Sequence, residues 1–289
     1  MLPLKQYLSK LLRLLPLRER EMLIFRLKCG YWPNLHTPRT FNEKVMWRKL
    51  YDRNEVFTVL ADKLRVREFV RERVGEKYLT DLYGVYDDPR TIDFDSLPRR
   101  YVLKATHDCG STILVADGQN VDQARVVEKL SRALRRVYGR DKGEWWYANI
   151  PPRILAEEFL NDASFGGSKV PPDFKFFVFQ GLVAMIQVDV DRYTDHRRTL
   201  YDRQWRKIEA TYTYPLGPDI SRPVNLDEMI WVAETLGRDL DFVRVDLYSI
   251  GTKRVVFGEM TFAPESGRGP FYPRELDYWL GDQWTIRSS

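Results

Sequence analysis

Residues 242–261 read FVRVDLYSIGTKRVVFGEMT, and this stretch decides the fold. Apolar and polar side chains alternate along its first half with the period of two that is typical of a β-strand. A second strand-like run follows residues 250–253, which we expect to form a turn. The stretch therefore predicts an antiparallel hairpin with Arg244, Asp246 and Glu259 on one face.

The two carboxylates of this hairpin are the first candidates for chemistry. With a turn at 250–253, Asp246 pairs with Phe257, and Glu259 lies diagonally across from Asp246 at ~7–8 Å between backbones. Carboxylates that close, beside Arg244, are costly unless a cation lies between them. Oxygen ligands suit hard divalent cations, and Mg²⁺ in particular when phosphates complete its shell. The alternative interpretation is a solvated strand face of mixed charge.

Two further hairpins are predicted upstream. Residues 101–118 (YVLKATHDCGSTILVADG) read as two short strands joined by a turn of small residues. Residues 173–193 (DFKFFVFQGLVAMIQVDVDRY) read as a hairpin that turns at Gln180 and Gly181. Tight hairpins make much of the sheet antiparallel.

Helices are predicted between these hairpins. Apolar residues recur at helical spacing within three segments, 41–75, 121–139 and 226–240. The segment 153–160 reads as one more short strand, whereas 83–100 reads as turn-rich. Because helices are mixed with antiparallel strands, we assign the chain to the α+β class.

The composition is that of a globular protein, with 44% hydrophobic and 30% charged residues among 289. No apolar run approaches the ~20 residues that a membrane-spanning helix needs. The two cysteines, Cys29 and Cys109, are too few for a disulfide scaffold. This favours a reducing, cytoplasmic location.

The net charge of +5 is concentrated at the amino terminus. Residues 1–30 hold seven Lys or Arg and two Glu, so the rest of the chain is neutral overall. Nucleic-acid binders spread positive charge over a groove-sized face, so we expect no nucleic-acid partner. Leucines at helical spacing over 4–15 predict a basic amphipathic helix that Pro16 ends or kinks. This helix either lies on an anionic membrane or a partner, or caps the domain with its leucine face.

Two lysines are candidates for binding phosphate. Lys104 ends a predicted strand and precedes a turn with Gly110 and Ser111. At such a position the lysine charge and the backbone amides of the turn can bind phosphate together. Lys175 lies on a strand whose neighbouring residues are apolar. The alternative for both lysines is a side chain that is exposed to solvent and binds no ligand.

Taken in order over residues 60–270, these elements resemble the ATP-grasp superfamily of carboxylate–amine ligases. Asp62 and Lys63 resemble the start of its ATP-binding half, and residues 154–160 (ILAEEFL) resemble the hinge that holds adenine. The runs Arg244-Val245-Asp246 and Glu259-Met260-Thr261 resemble the Arg-x-Asp and Glu-x-Asn pairs that bind two Mg²⁺ and the γ-phosphate. Threonine therefore stands where the superfamily has asparagine.

The resemblance implies a role for each of these residues. ATP is expected to bind through eight of them: Lys63, Lys104, Gly110, Ser111, Glu157, Glu158, Leu160 and Lys175. Arg244 and Lys104 are expected to be catalytic, and Mg²⁺ is expected to be bound by Asp246, Glu259 and Thr261. The implied fold has two α+β lobes that clasp ATP, preceded by a helical amino-terminal region. We expect this region over 1–60, the smaller nucleotide-binding lobe over 61–160 and the lobe with the metal site over 161–289.

Four segments carry a closer resemblance: FNEKVMWRKLYDR (41–53), ADKLRVREFV (61–70), LTDLYGVYDD (79–88) and VLKATHDCGS (102–111). They resemble the ATP-grasp branch found with teichuronopeptide and capsular-polysaccharide biosynthesis. This resemblance implies a cytoplasmic ligase that joins a uronic-acid carboxylate of a saccharide to an amino acid through an acylphosphate. Residues 1–30 are expected to provide peripheral contact with the membrane or a biosynthetic complex.

Two other functions remain open from the residues alone. Asp189 and Asp191 match the Asp-x-Asp pattern of many nucleotide-sugar glycosyltransferases, which predicts binding of UDP- or GDP-sugars. A non-catalytic assembly module docked by its basic amino terminus would turn over no ATP.

Overall fold

The computed structural model describes residues 12, 14–116, 121–160, 173–190, 195–251 and 254–286. Its helices are α1 (Leu17–Cys29), α2 (Phe41–Tyr51), α3 (Val56–Ala61), α4 (Val66–Arg73), α5 (Gln123–Leu134), α6 (Trp145–Ala148), α7 (Leu226–Gly237) and α8 (Glu275–Asp282). Its strands are β1 (Leu82–Tyr86), β2 (Tyr101–Ala105), β3 (Ile113–Val115), β4 (Ile154–Glu158), β5 (Asp173–Phe179), β6 (Leu182–Val190), β7 (Arg197–Asp202), β8 (Lys207–Ile208), β9 (Thr211–Tyr212), β10 (Phe242–Ile250), β11 (Arg254–Thr261) and β12 (Phe271–Tyr272). This mixture of helices and antiparallel sheets confirms the α+β class.

The amino-terminal prediction can be followed only in part. The basic helix expected over 4–15 lies outside the described residues except for 12, 14 and 15. Pro16 immediately precedes α1. None of the described helices is long and apolar enough to cross a membrane.

Four strands form a small antiparallel sheet in the order β1-β4-β2-β3. Strands β2 and β3 form the predicted hairpin, with Tyr101 opposite Val115. Helix α5 packs its apolar side on this sheet, where Leu103 and Leu130 are fully buried in the same cluster. The small sheet therefore has a core of its own.

Strand β1 corrects the prediction that residues 83–100 form only turns. It pairs antiparallel with β4 at the edge of the small sheet, with an irregularity between Leu82 and Gly84. All five of its side chains are exposed or half-buried. Without a buried face the strand has no hydrophobic alternation, so it leaves no pattern in the sequence. Its backbone pairing with β4 accounts for its formation.

Six strands form the large antiparallel sheet in the order β11-β10-β5-β6-β7-β8. It contains the other two predicted hairpins, β5–β6 and β10–β11. Helix α7 covers one face of this sheet. A Cβ on Gly237 would lie 2.5 Å from the Val178 Cγ1, so only glycine allows α7 to approach β5 this closely. Strands β9 and β12 form a separate two-stranded sheet.

The opposite face of the large sheet is apolar at one end and polar at the other. Helix α2, which begins with a capping box between Thr40 and Glu43, covers the apolar end. Its Phe41 ring lies 5.0 Å from Phe242 and 5.7 Å from Phe177 between ring centroids. The polar end of this face remains uncovered by α2 and holds the candidate site.

Candidate active site

A cleft of about 280 Å³ lies between the small and the large sheet. It brings together eight of the predicted site residues: Lys63, Lys104, Gly110, Glu157, Glu158, Leu160, Asp246 and Glu259. The other four, Ser111, Lys175, Arg244 and Thr261, do not line the cleft. Asp173, Asp246 and Glu259 line it from the large sheet, and we call these three residues the acidic floor.

The register of the β10–β11 hairpin differs from the predicted one. Asp246 lies directly opposite Glu259, and Phe257 pairs with Leu247 instead of Asp246. The register shifts between Asp246 and Leu247 because Gly258 is an extra, bulged residue on β11. A Cβ at Gly258 would lie 3.1 Å from the Asp246 carbonyl oxygen, so the bulge favours glycine. The bulge brings the two carboxylates closer than the expected diagonal arrangement would.

Arg244 holds Asp246 from one side with two hydrogen bonds. The guanidinium Nε donates to Oδ1 and Nη2 to Oδ2, both at 2.7 Å. The same Nη2 donates to the Thr261 hydroxyl at 3.0 Å and lies 3.5 Å from the Glu259 carboxylate. Arg244 therefore links three residues that the resemblance assigned to the metal.

Lys175 holds Asp246 from the other side. Its Nζ donates to Oδ2 of Asp246 at 2.9 Å and also pairs with Asp173. Lys175 lies opposite Asp246 on the neighbouring strand, so both side chains lie on one face of the sheet. Arg244 and Lys175 thus contact the three carboxylates of the acidic floor without lining the cleft themselves.

The ionisation of the floor follows from these charges. Burial raises the pKa of Glu259, but Lys63, Arg244 and Lys175 outweigh it and lower that pKa below its ordinary value. Burial also raises the pKa of Asp246, against the attraction of Arg244 and Lys175. The Glu259 side chain is 34% exposed and faces the cleft as a carboxylate, so it is available to a cation.

The loop after β2 is shaped by its own polar groups. The Ser111 hydroxyl donates to Asp108 Oδ1 at 2.5 Å and accepts from the Ala105 backbone N–H at 3.1 Å. Lys63 Nζ donates to the Asp108 carbonyl oxygen at 2.7 Å. Ser111 thus fixes the loop from within, whereas Lys63 and Gly110 line the cleft.

The opposite wall of the cleft carries an ion pair between Lys104 and Glu157. The Thr80 hydroxyl donates to the second oxygen of Glu157 at 3.3 Å. A lysine expected to bind phosphate and a glutamate expected to bind adenine are therefore paired with each other here.

Among the charged residues that sequence reasoning missed are Asp173, which lines the cleft, and Arg254, which contacts Glu158 of its lining. Arg254 Nη2 donates to Glu158 Oε2 at 2.8 Å and so joins β11 of the large sheet to β4 of the small one. Hydrogen bonds from Arg254 lower the pKa of Glu158. Asp173 belongs to the acidic floor, and its position two residues before Lys175 could have revealed that both share a face. No local pattern marks Arg254, because its partner is distant in sequence.

The Asp-x-Asp pattern is only partly described. Asp191 lies outside the described residues. Asp189 is buried and paired with the Arg198 guanidinium, with Nε at 2.7 Å from Oδ1. Burial alone would raise the pKa of Asp189, but Arg198 lowers it to about 2. Asp189 is thus already bound by a cation of the chain.

A family model described as TupA-like ATP-grasp matches residues 43–285. The match spans both sheets of the cleft and every predicted site residue. It confirms the resemblance to the ATP-grasp superfamily and to its teichuronopeptide branch. Comparison with curated proteins gave no match.

The solved structures that match part of the chain include three ATP-dependent or amino acid ligases. D-alanine–D-alanine ligase from Bacillus anthracis, complexed with ATP, is 14% identical over 78% of this chain and 65% of that one, with a TM-score of 0.45. L-amino acid ligase from Bacillus licheniformis is 13% identical over 77% of this chain and 45% of that one, with a TM-score of 0.44. The ATP-grasp ligase PsnB, complexed with minimal precursor, Mg and ADP, is 14% identical over 76% and 57%, with a TM-score of 0.39. The chain spans less than two thirds of the length of each.

Proposed function

This chain belongs to the TupA-like ATP-grasp family, and we propose that it is an ATP-dependent ligase that joins a carboxylate to an amine. The observation that carries the proposal is the position of Asp246 opposite Glu259, on the wall of a cleft that Lys104 lines from the other sheet. Carboxylates for a metal and a cation for phosphates thus face one another. Such an arrangement suits phosphoryl transfer, in which the protein positions the reactants and offsets charge.

We infer that ATP lies along the cleft with its adenine near the end of β4. In this proposal Glu157 and the Leu160 backbone hold adenine, and both residues line the cleft. Lys63, Lys104 and the loop at Gly110 hold the phosphates, and they line the same cleft. Because Lys104 pairs with Glu157, ATP binding would exchange this ion pair for contacts with the nucleotide.

The acidic floor fits Mg²⁺. Asp246 and Glu259 offer carboxylate oxygens, and Mg²⁺ is commonly held by one or two carboxylates together with substrate phosphates. Among the described residues, no group of three or more His, Cys, Asp or Glu could hold a metal ion by itself, so in this proposal substrate phosphates supply the remaining ligands. We propose Asp246 and Glu259 as ligands, with Thr261 beside them. When bound, Mg²⁺ offsets charge on the phosphate oxygens.

The proposed reaction has two steps. A carboxylate oxygen of the first substrate attacks the γ-phosphorus, the bond to ADP breaks, and an acylphosphate forms. The amine nitrogen then attacks the carbonyl carbon, and phosphate leaves with the bridging oxygen and its electron pair. The ammonium form of the amine gives up two protons, one to solvent and one to the departing phosphate. We propose that Lys104 and Arg244 offset charge on the transferred phosphoryl group.

We further propose that the carboxylate belongs to a uronic acid of a cell-surface saccharide and that the amine is an amino acid. The teichuronopeptide branch supports this choice of substrates. In this proposal the small-sheet lobe over 61–160 and the large-sheet lobe over 161–289 close on ATP, behind a helical region over 1–60.

We also propose that the protein acts in the cytoplasm and touches the membrane or a biosynthetic complex through residues 1–30. The basic charge of this segment supports the proposal. Co-sedimentation with anionic vesicles tests it with and without residues 1–16. Binding that does not depend on these residues would contradict it.

The ligase proposal is tested with MgATP, a uronic-acid-bearing oligosaccharide and a mixture of amino acids. We expect ADP, free phosphate and a product heavier by one amino acid less water. Hydroxylamine in place of the amino acids should trap the acylphosphate as a hydroxamate. A stable phosphate ester on a sugar hydroxyl, with neither free phosphate nor hydroxamate, would instead identify a kinase.

A further inference from the structure

A row of charged side chains extends from the acidic floor across the large sheet. Asp173 of the floor lies opposite Asp189 on β6, and Asp189 lies opposite Arg198 on β7. Neighbouring strands are ~4.8 Å apart, so the row extends two strands, β6 and β7, beyond Asp173 at the edge of the cleft. All three residues lie on the same face of the sheet as Asp246.

Arg198 is the last residue of this row. Its side chain is only 3% exposed, and it contacts Asp189 through Nε at 2.7 Å and Nη2 at 3.3 Å. Its Nη1 donates to the Tyr212 carbonyl oxygen at 3.0 Å, and its guanidinium lies over the Tyr214 ring at 4.8 Å. Burying a charged pair costs several kcal/mol of desolvation, and apolar residues would fill the space more cheaply. We therefore attribute the Arg198–Asp189 pair to the groups that it positions and not to a gain in stability.

Two polar groups at the edge of the row reach solvent. Glu265 is 27% exposed, and its Oε1 accepts from Arg198 Nη1 at 3.1 Å. His196 is 20% exposed, lies 3.4 Å from Asp189 and stacks on the Tyr214 ring at 3.8 Å. We call Asp189, His196, Arg198 and Glu265 the side network. Apart from His196, the side network holds two carboxylates and one guanidinium, and these three groups together carry a net charge of −1.

A buried amide beside the side network has an unused acceptor. Gln187 is fully buried, and its Nε2 donates to Asp189 Oδ2 at 3.0 Å. Its Oε1 has no hydrogen-bond partner among the described residues. An unsatisfied buried acceptor is costly.

The turn that carries Glu265 is strained. Glu265 and Ser266 have φ values of 48° and 57°, in the left-handed region that costs non-glycine residues of order 1 kcal/mol or more each. Lys49 fixes the turn with two hydrogen bonds. Its Nζ donates to the carbonyl oxygen of Ser266 at 2.9 Å and to the hydroxyl of Ser266 at 3.0 Å. Lys49 is itself buried and paired with Glu21 at 2.6 Å. Strain that the surroundings enforce in this way is characteristic of ligand clamps.

We propose that Glu265 binds the protonated amine of the second substrate, an amino acid, at the side network beside the acidic floor. This inference rests on the proposed ligase function and adds the place where the amine is recognised. The Glu265 carboxylate keeps one oxygen beyond its contact with Arg198, and the net negative charge attracts an ammonium group. A charge-assisted hydrogen bond of this kind is worth about tenfold or more in affinity. The Arg198–Asp189 pair and the strained turn fix the position of the carboxylate.

The test measures the melting temperature of the protein with MgATP and then with MgATP plus each standard amino acid. A ligand that binds only the folded state raises this temperature. We expect at least one amino acid to add a shift that its N-acetyl derivative, which has no ammonium group, does not add. Glu265→Gln should weaken the apparent affinity for that amino acid at least about tenfold while the MgATP shift stays unchanged. Glu209→Gln, which removes an exposed carboxylate paired with Lys207, should change neither shift.

The results that would contradict the amine site differ from those that would contradict the proposed function. A MgATP shift with no further shift from any amino acid would overturn the amine site and leave the ATP site standing. Equal shifts from an amino acid and its N-acetyl derivative would also overturn it, and this comparison uses only the wild-type chain. Absence of a MgATP shift in the wild type would overturn the proposed function, and the amine site with it.

Discussion

Asp246 on β10 lies directly opposite Glu259 on β11, and both carboxylates line the cleft between the two sheets. Arg244 contacts both of them, with two hydrogen bonds to Asp246 and an approach of 3.5 Å to Glu259. The Asp246 side chain is only 3% exposed and both of its oxygens accept hydrogen bonds from Arg244, whereas the Glu259 side chain is 34% exposed and reaches the cleft. In the proposed metal site, a divalent cation that arrives with phosphates would reach Glu259 from the cleft and bind Asp246 beside it.

Asp246→Asn and Glu259→Gln should each reduce ATP turnover by ~10²-fold or more, because each removes a charge and barely changes shape. Steady-state release of ADP at saturating Mg²⁺ measures the effect. Asp239→Asn, which removes an exposed carboxylate paired with Arg73, is the matched control and should keep wild-type turnover. Wild-type turnover in either floor variant would show that the metal site is misassigned.

Gly258→Ala tests the bulge that sets the Asp246–Glu259 register. The new Cβ would lie 3.0 Å from the Tyr248 ring and 3.1 Å from the Asp246 carbonyl oxygen, so the bulge must shift. We expect a weaker affinity for MgATP, measured by calorimetry. Urea unfolding of the same variant separates this effect from a general loss of stability. An alanine variant that binds MgATP as tightly as the wild type would mean that the register can change without harm to the site.

Lys104→Met should raise the KM for ATP, lower kcat, or do both, since it deletes a phosphate partner and keeps most of the side-chain volume. Initial rates over a range of ATP concentrations give both constants. Lys77→Met, at an exposed lysine paired with Glu228, provides the comparison. If the two variants behaved alike, Lys104 would have no part in nucleotide binding.

Asp189 should contribute to stability in a pH-dependent way. Its pKa falls from 3.8 to about 2 because Arg198, Lys175 and His196 outweigh burial, and the Gln187 amide donates to the same carboxylate. A depressed pKa stabilises the folded state above the unfolded pKa near 3.8, and this stabilisation is lost as the pH falls through about 2. The shift corresponds to about 2 kcal/mol.

Urea unfolding of the wild type and Asp189→Asn at several pH values measures this contribution. The difference in unfolding free energy should be constant from pH 7 down to about 5 and should shrink below about 4. A difference that stays the same down to about pH 2 would contradict the role of the ionised carboxylate.

Much of this fold could be predicted because its strands are marked by local patterns. Alternation on β10 predicted Arg244 and Asp246 on one face, and the two side chains hydrogen-bond to each other there. The Gly258 bulge could not be predicted, because a glycine in a strand does not by itself show whether it adds an extra residue. The edge strand β1 was missed because it has no buried face to produce a pattern.

The contacts that complete the cleft could not be predicted for a different reason. Arg254 and Glu158 are 96 residues apart and meet only when the two sheets face one another. The side network likewise joins Glu265 to Arg198 across 67 residues. Local patterns carry no information on such pairs, since tertiary packing alone brings them together.

The fate of ¹⁸O in the substrate carboxylate tests the central claim most directly. The protein is incubated with MgATP, an amino acid and a uronic-acid-bearing oligosaccharide whose two carboxylate oxygens are both ¹⁸O, and the phosphate released is analysed by mass spectrometry. An acylphosphate places one carboxylate oxygen between carbon and phosphorus, and attack by the amine leaves that oxygen on phosphate. The account predicts one ¹⁸O in each phosphate released. Phosphate without ¹⁸O, formed while the saccharide keeps its whole label, would contradict ligation through an acylphosphate.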